Sequence, residues 1–441
     1  MTCRDRFVEG PDEGIAAAVV AGLANEVLDW RHKAIPARFH GVSAGQFAAA
    51  GVPLAELQTP LLTLDAGALA HNAALMADWC AHWGVGLAPH GKTTMAPALW
   101  QWQLDAGAWG ITLANAAQLR VGRHFGVRNL MLANCLTDPE AITWVAGEVA
   151  AGARIVSWVD SLAAVERLQR VLDQTGAGPL PVLVELGGSG GRTGARGHDA
   201  AVQVALAVAQ APRLALGGVS GYEGALAHTR SAADLARVRR YLADFVRLHR
   251  ALADHGLYEC DEVIVTAGGS AYFDDVVESL APLASQGVRV LLRSGAYLIH
   301  DDGFYRGISP FGRNDPDAAS AFRAAMHGWA RVVSRTESGL AIIDGGRRDF
   351  PFDEGLPVPQ GAARELGLPL QPLAGATVTA LNDQHAFVRH DPDADVRPGD
   401  VLRLGLSHPC TAFDKWALIP VLDQSADPTR AVVVDTVRTF F

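Results

Sequence analysis

Between about Thr59 and His300 one pattern recurs: a short β-prone run that ends in Gly, Asn, Asp or Ser, followed by an Ala- and Leu-rich amphipathic segment. After an entry strand at Leu61–Leu64 and a helix at Ala66–Trp83, the runs are Gly86–Pro89, Gly110–Ala114, Leu130–Ala133, Ile155–Val159, Val182–Leu186, Leu214–Gly221, Val263–Thr266 and Val288–Arg293. Strands that alternate with helices demand parallel pairing through crossovers, and eight units over about 240 residues suit a closed (β/α)8 TIM-type barrel better than an open, doubly wound sheet. Beyond Pro310 the texture changes. Arg331–Arg335, Leu340–Asp344, Thr377–Leu381, Val401–Leu406, Trp416–Leu422 and Ala431–Val437 are β-prone runs divided by Pro, Gly and Asp, which predicts a second, mostly antiparallel β domain. The expected division is a helical leader over 1–55, a barrel over 56–310 and a β domain over 311–441.

The chemistry available to such a chain is narrowed by its lysines. Of the 37 basic residues only Lys33, Lys92 and Lys415 are lysines, so a reaction that needs a primary amine has three candidates. Lys33 lies in a charged leader segment and Lys415 follows Asp414 in a turn-like stretch, so both read as solvated charges. Lys92 falls at or just beyond the C-terminal end of the first barrel run, where barrel enzymes place catalysis, and His90 precedes it by two residues. An amine there can form an imine with a carbonyl cofactor or substrate once its surroundings lower its pKa. The same segment, Gly86-Leu-Ala-Pro-His-Gly-Lys-Thr93, matches the phosphate-binding pattern G-x-x-x-x-G-K-[ST]. Its context is poor, because a helix end precedes it and Pro89 removes one of the N–H donors such a loop needs.

Two Gly-rich strand ends form candidate anion sites: Thr266-Ala-Gly-Gly-Ser270 after the seventh run and Arg293-Ser-Gly-Ala-Tyr297 after the eighth, the usual phosphate position in this architecture. Gly187–Gly194, with Arg192 and Thr193, and Gly221-Tyr222-Glu223-Gly224 close the fifth and sixth, where glycines let a flat cofactor approach the backbone. In the β domain, His408-Pro-Cys410 puts an imidazole and a thiol two residues apart on an extended segment, a suitable soft pair for Zn2+ but short of the usual three protein ligands. Asn382-Asp-Gln-His385 is a further polar group. The five cysteines are scattered without a C-x-x-C pair, so neither a disulfide framework nor a structural zinc finger is indicated and a reducing compartment is expected. The net charge of -10 argues against a nucleic-acid partner, and the polar start and the lack of a long apolar run argue against a signal peptide or a membrane span. A cytoplasmic protein is expected.

Together, Pro-His-Gly-Lys-Thr at 89–93, Gly-Gly-Arg-Thr-Gly at 190–194, Ala-Gly-Gly-Ser at 267–270, Arg-Ser-Gly-Ala-Tyr at 293–297, Asp-Gln-His at 383–385 and His-Pro-Cys at 408–410 resemble the D-serine dehydratase and D-threonine aldolase family of pyridoxal-phosphate enzymes, with its alanine-racemase barrel. The sequence is most similar to its bacterial amino-acid deaminases. The resemblance implies that Lys92 holds pyridoxal 5'-phosphate as a Schiff base, that Ser270, Gly295 and Ala296 bind its phosphate, that Tyr222 sits against it, and that Arg192 and Tyr297 position its ring. It also implies that His408 and Cys410 bind Zn2+; cysteine at the second ligand position is similar to the dehydratases, whereas the aldolases tend to carry Asp. Met95 and Gln118 depart from the family pattern, where a basic residue and a Glu are common. The implied activity is β-elimination from a D-β-hydroxy amino acid such as D-serine, in a homodimer. Its rivals are D-threonine aldolase-type retro-aldol cleavage and, from another class, a non-catalytic carrier of the cofactor, which such a β domain argues against.

Overall fold

The computed structural model describes residues 14–312 and 319–441. All eight short runs form strands: β1 (Gly86–Leu87), β2 (Ile111–Leu113), β3 (Asn129–Cys135), β4 (Arg154–Val159), β5 (Leu180–Gly187), β6 (Leu214–Gly221), β7 (Ile264–Ala267) and β8 (Arg289–Leu292). They pair in parallel in the order β1-β8-β7-β6-β5-β4-β3-β2. The ring closes between β1 and β2, where Trp109 N donates to Leu87 O at 2.7 Å and Thr112 N to Pro89 O at 2.9 Å. The Thr112 hydroxyl adds a bond to Ala88 O at 2.6 Å. Both faces of these strands are covered, so β5 and β6 are buried almost end to end and are mostly apolar, with Glu185 and Ser220 as buried exceptions near their ends. Ala88, Met131, Val156, Trp158, Leu183, Ile264 and Leu291 pack together as one core of this unit. Burying each such Leu, Val or Ile contributes about 1.5–3 kcal/mol.

Several of the polar residues that follow the strands have a local task. Asn115, Asp138, Ser161 and Ser231 each accept a backbone N–H from the first turn of the helix that follows, satisfying a donor that has no partner inside the helix.

By their contacts the described residues divide into two units, one of 14–16, 77–92 and 103–295, which contains the barrel, and one of 17–76, 93–102, 296–312 and 319–441; the first part of the expected leader, 1–13, lies outside the described residues. This differs from the expected division at 55 and 310. In the leader, Leu28, Ile35, Ala44, Phe47, Val52 and Leu54 share one buried cluster with Trp329, Val401, Leu418 and Val433 of the β domain. Instead of a long helix, the leader has the five-residue helix Ala17–Ala21 and, after it, turns and the short capped helix Ala44–Ala49. The entry strand also belongs to this second unit: Leu61–Asp65 runs antiparallel to Met326–Glu337 and parallel to Leu418–Asp423. The remaining strands of the unit, Leu340–Ile343, Val358–Ala363, Thr377–Leu381, Ala386–Arg389, Val401–Gly405 and Val432–Arg438, all pair antiparallel, as expected for the β domain. Among the described residues, no helix is long and apolar enough to cross a membrane.

Candidate functional site

Lys92 lies in a single tight turn, Gly91–Thr93, directly after β1, and the next helix begins only at Pro97. No helix starts at the Lys-Thr pair, so the segment lacks the strand–loop–helix geometry of a nucleotide-binding P-loop. Beside it, Nδ1 of His90 is buried without a hydrogen-bond partner in the protein. Burial, then the positive charges of Lys92, Arg293 and Arg192, holds the His90 imidazole well below its ordinary pKa, so it is neutral at pH 7. A β-carbon on Gly295, in the loop after β8, would lie 2.5 Å from His90 O, so only glycine allows this approach to the end of β1.

Arg192 projects from the Gly-rich loop after β5, its guanidinium carbon 4.9 Å from the centre of the Tyr222 ring, a cation–π arrangement. The loop is held in shape by Arg196, which donates to the carbonyls of Gly191, Arg192, Thr193 and Gly194 at 2.7–3.0 Å. Tyr222 is fixed from two sides. Its ring is so close to Gly224 and Gly269 that a β-carbon on either would come within 2.6 or 2.7 Å of it. Its backbone N–H donates at 3.1 Å to the buried Tyr241 hydroxyl, which in turn donates to Leu186 O at 2.7 Å and so ties the ends of β5 and β6 together.

The loops after β7 and β8 adjoin, as Ser294 Oγ donates to Gly269 O at 2.9 Å. The N–H groups of Gly268 and Gly269, which the glycine pattern offered to an anion, already have one: the carboxylate of the fully buried Glu223 accepts them at 3.0 and 2.8 Å. These two N–H groups are therefore already satisfied within the protein. The buried Arg293 donates to Thr266 Oγ1 at 2.7 Å and to Gly221 O, and its guanidinium lies over the Trp158 ring at 5.5 Å.

Lys92, Arg192, Tyr222, Ser270 and Gly295 fall in the barrel unit, whereas Ala296, Tyr297, His408 and Cys410 fall in the second unit. There Ala296 and Tyr297 form a buried turn, Ala296–Leu298, with the Tyr297 ring 5.9 Å from that of Phe322. His408 has a left-handed backbone, φ +51, rare for a residue with a side chain. Its N–H donates at 3.0 Å to the buried carboxylate of Asp301. Its ring Nδ1 meets Asp353 Oδ2 at 2.5 Å, and Asp353 also accepts from Thr411 Oγ1 at 2.6 Å. Burial alone would lower the imidazole's pKa, but hydrogen bonding and charge from Cys410 and Asp353 outweigh it and raise it to about 9. Cys410 Sγ in turn meets Thr93 Oγ1 at 3.5 Å. Asn382–His385 is an exposed turn closed by Asn382 N to His385 O at 2.9 Å, an ordinary strand connection in which Gln384 reaches Asp349.

A family model, "Putative serine dehydratase domain", matches residues 325–422. A D-threonine aldolase from an Arthrobacter species is 28% identical over 85% of this chain and 91% of its own length. The solved D-threonine aldolase from Filomicrobium marinum superposes with a TM-score of 0.72 at 27% identity, covering 88% of this chain and 97% of that one. The chain is similar to members of the D-serine dehydratase and D-threonine aldolase family over most of its length. A 3-hydroxy-D-aspartate aldolase from Paracoccus denitrificans is 26% identical over 81% of this chain and 87% of its own. The D-threo-3-hydroxyaspartate dehydratase from Delftia sp. HT23, at 21% identity and a TM-score of 0.70 over 88% of this chain and 99% of its own, has the same fold.

Several residues that hold the candidate residues in place have no full signature in the sequence. Glu223 was visible within Gly-Tyr-Glu-Gly, but its partners lie 45 and 46 residues further on. Asp353 precedes His408 by 55 residues. Only the fold pairs them.

Proposed function

We propose that the protein is a lyase dependent on pyridoxal 5'-phosphate and Zn2+ that acts on a D-β-hydroxy amino acid such as D-serine, releasing a 2-oxo acid and ammonia by β-elimination. The observation that supports this best is the setting of Lys92: an amine at the C-terminal end of the first barrel strand, beside a neutral imidazole whose buried Nδ1 has no protein partner. These residues suit the cofactor. Lys92 would hold it, Tyr222 would lie against it, and Ser270, Gly295 and Ala296 would meet its phosphate, with Arg192 and Tyr297 orienting the ring. Bound pyridoxal phosphate supplies a sink for the negative charge that develops at the substrate's α-carbon. Lys92 Nζ is the base that takes the α-proton, and the neutral His90 beside it adds no further positive charge. His408 and Cys410 suit zinc: Asp353 holds Nδ1 of His408 and leaves the other ring nitrogen to a metal, the usual support for a ligating histidine. Zinc there supplies a Lewis acid for the β-hydroxyl, since hydroxide is a poor leaving group.

Retro-aldol cleavage to glycine and an aldehyde is the second reading, favoured by the names of the curated relatives, which are aldolases. Cys410, the residue type of the dehydratases at that position, favours elimination. D-Threonine separates the two: elimination yields 2-oxobutanoate and ammonia, cleavage yields glycine and acetaldehyde. A purified protein that forms neither product from D-threonine or D-serine, with cofactor and Zn2+ added, refutes both. Lys92→Ala is expected to lose the visible absorbance of the bound cofactor, and retention of that absorbance would remove Lys92 from its role. A homodimer in the cytoplasm belongs to the same proposal.

A further inference from the structure

Cys135 ends β3, Asp160 directly follows β4, and Glu185 lies near the end of β5. These three strands are neighbours in the parallel sheet, so their C-terminal ends bring three side chains into one place. One ligand atom from each, the thiol sulfur and one oxygen from each carboxylate, lies within 4.8 Å of the others. Ligands held at zinc-type bond lengths are separated by roughly 3–4 Å, so small side-chain rotations close the set.

Glu185 supplies the second observation. It is only 6% exposed, and its Oε2 is buried with no hydrogen-bond partner, while Oε1 accepts from Thr193 Oγ1 at 3.0 Å. A buried carboxylate oxygen without a donor is costly unless a proton or a cation reaches it. Asp160 has a donor in Gly194 N at 3.2 Å. The positive groups that face Glu185 are Arg293 and Arg192, of which Arg293 directs two nitrogens to Thr266 and Gly221. Without an ion, burial and then the charges of Asp160 and Glu185 push the Cys135 thiol up, so it keeps its proton and shares it with Asp160.

We propose that Cys135, Asp160 and Glu185 form a second metal site, in the barrel, that takes one zinc-class divalent ion and is built from residues other than His408 and Cys410. The thiol and two carboxylates are three protein ligands, the number that leaves a fourth position open, and a thiolate selects zinc-like ions over Mg2+ or Ca2+. Binding replaces the thiol proton: Cys135–SH and M2+ give Cys135–S–M+ and H+. Through the Glu185–Thr193 bond the ion would tie three strand ends to the loop that carries Arg192.

Co2+ is the probe, added to the full-length chain carrying both His408→Ala and Cys410→Ala so that the other pair cannot respond. One Co2+ is expected to bind per chain with a thiolate-to-cobalt absorption in the near ultraviolet, and adding Cys135→Ser should abolish that band. In the same background Glu185→Gln should weaken Co2+ binding about ten-fold or more with the circular dichroism unchanged. A double variant without the band, a band that survives Cys135→Ser, or unchanged affinity in Glu185→Gln overturns the proposal. The last arm decides the matter should the serine variant not fold.

Discussion

Replacing Glu223 by glutamine tests how the loop after the seventh strand is held. Glu223 is fully buried, and its two carboxylate oxygens accept Gly268 N at 3.0 Å and Gly269 N at 2.8 Å. Glutamine has nearly the same shape but only one acceptor; its NH2 group must face one of those N–H groups. The variant therefore loses one charge-assisted hydrogen bond, about 1.5–3 kcal/mol, and leaves a buried backbone donor unsatisfied, about 1–2 kcal/mol more, for a total of roughly 2.5–5 kcal/mol. It also removes a negative charge that favours the buried Arg293 cation. Urea unfolding of the cofactor-free protein should show this as a lower midpoint at an unchanged slope. Because the displaced loop leads into Ser270, binding of pyridoxal phosphate should weaken more than binding of pyridoxal, which has no phosphate. A stability loss below about 0.5 kcal/mol would mean that the two bonds carry no net weight and would refute the reasoning.

Tyr241→Phe removes the hydroxyl that joins Tyr222 N to Leu186 O and leaves both buried groups unsatisfied, so a loss of about 2–4 kcal/mol is expected in the same unfolding assay. Asp353→Ala, which frees Nδ1 of His408, is expected to weaken the metal affinity of the His408 and Cys410 pair about 10–100-fold, read by competition with a chelator. His300 is buried, and desolvation, followed by the charge of Arg306, lowers its pKa to about 4. For a base depressed in the folded state, the unfolded chain binds the proton first. Stability from this group is thus present above pH 6.5 and is lost as pH falls towards 4, by up to roughly 3 kcal/mol. His300→Gln should reduce the drop in unfolding free energy between pH 7 and pH 4.5 relative to the parent protein; an unchanged drop refutes it.

The barrel was legible in the sequence because a parallel strand covered on both faces is mostly apolar along its length, and the short runs from Gly86–Pro89 to Val288–Arg293 all became strands. The polar residues just past two of those runs were equally legible, because Asn115 and Ser161, one and two residues beyond the second and fourth runs, each cap the helix that begins at the next residue. An apolar run states that a strand is buried, but not against which sheet. Leu61–Asp65 looks like any barrel strand, yet it pairs with Met326–Glu337 and Leu418–Asp423. The leader carried no sign that Leu28 and Phe47 would share a core with Val401 and Val433.

The site divides along the same line. Lys92 and the glycine loops stand out because their chemistry is local: one scarce amine at a strand end, and backbone positions where a side chain would collide with His90 or Tyr222. Asp353 and Tyr241 are single polar residues without a motif, Glu223 was visible only within a glycine pattern, and each acquires its task from partners far away in the chain. Burial makes those partnerships energetically decisive, and burial exists only once the strands have paired. Hydrophobic period and local backbone chemistry therefore reach the order of the elements and the reactive lysine, while the pairing of polar groups across strands belongs to the tertiary structure alone.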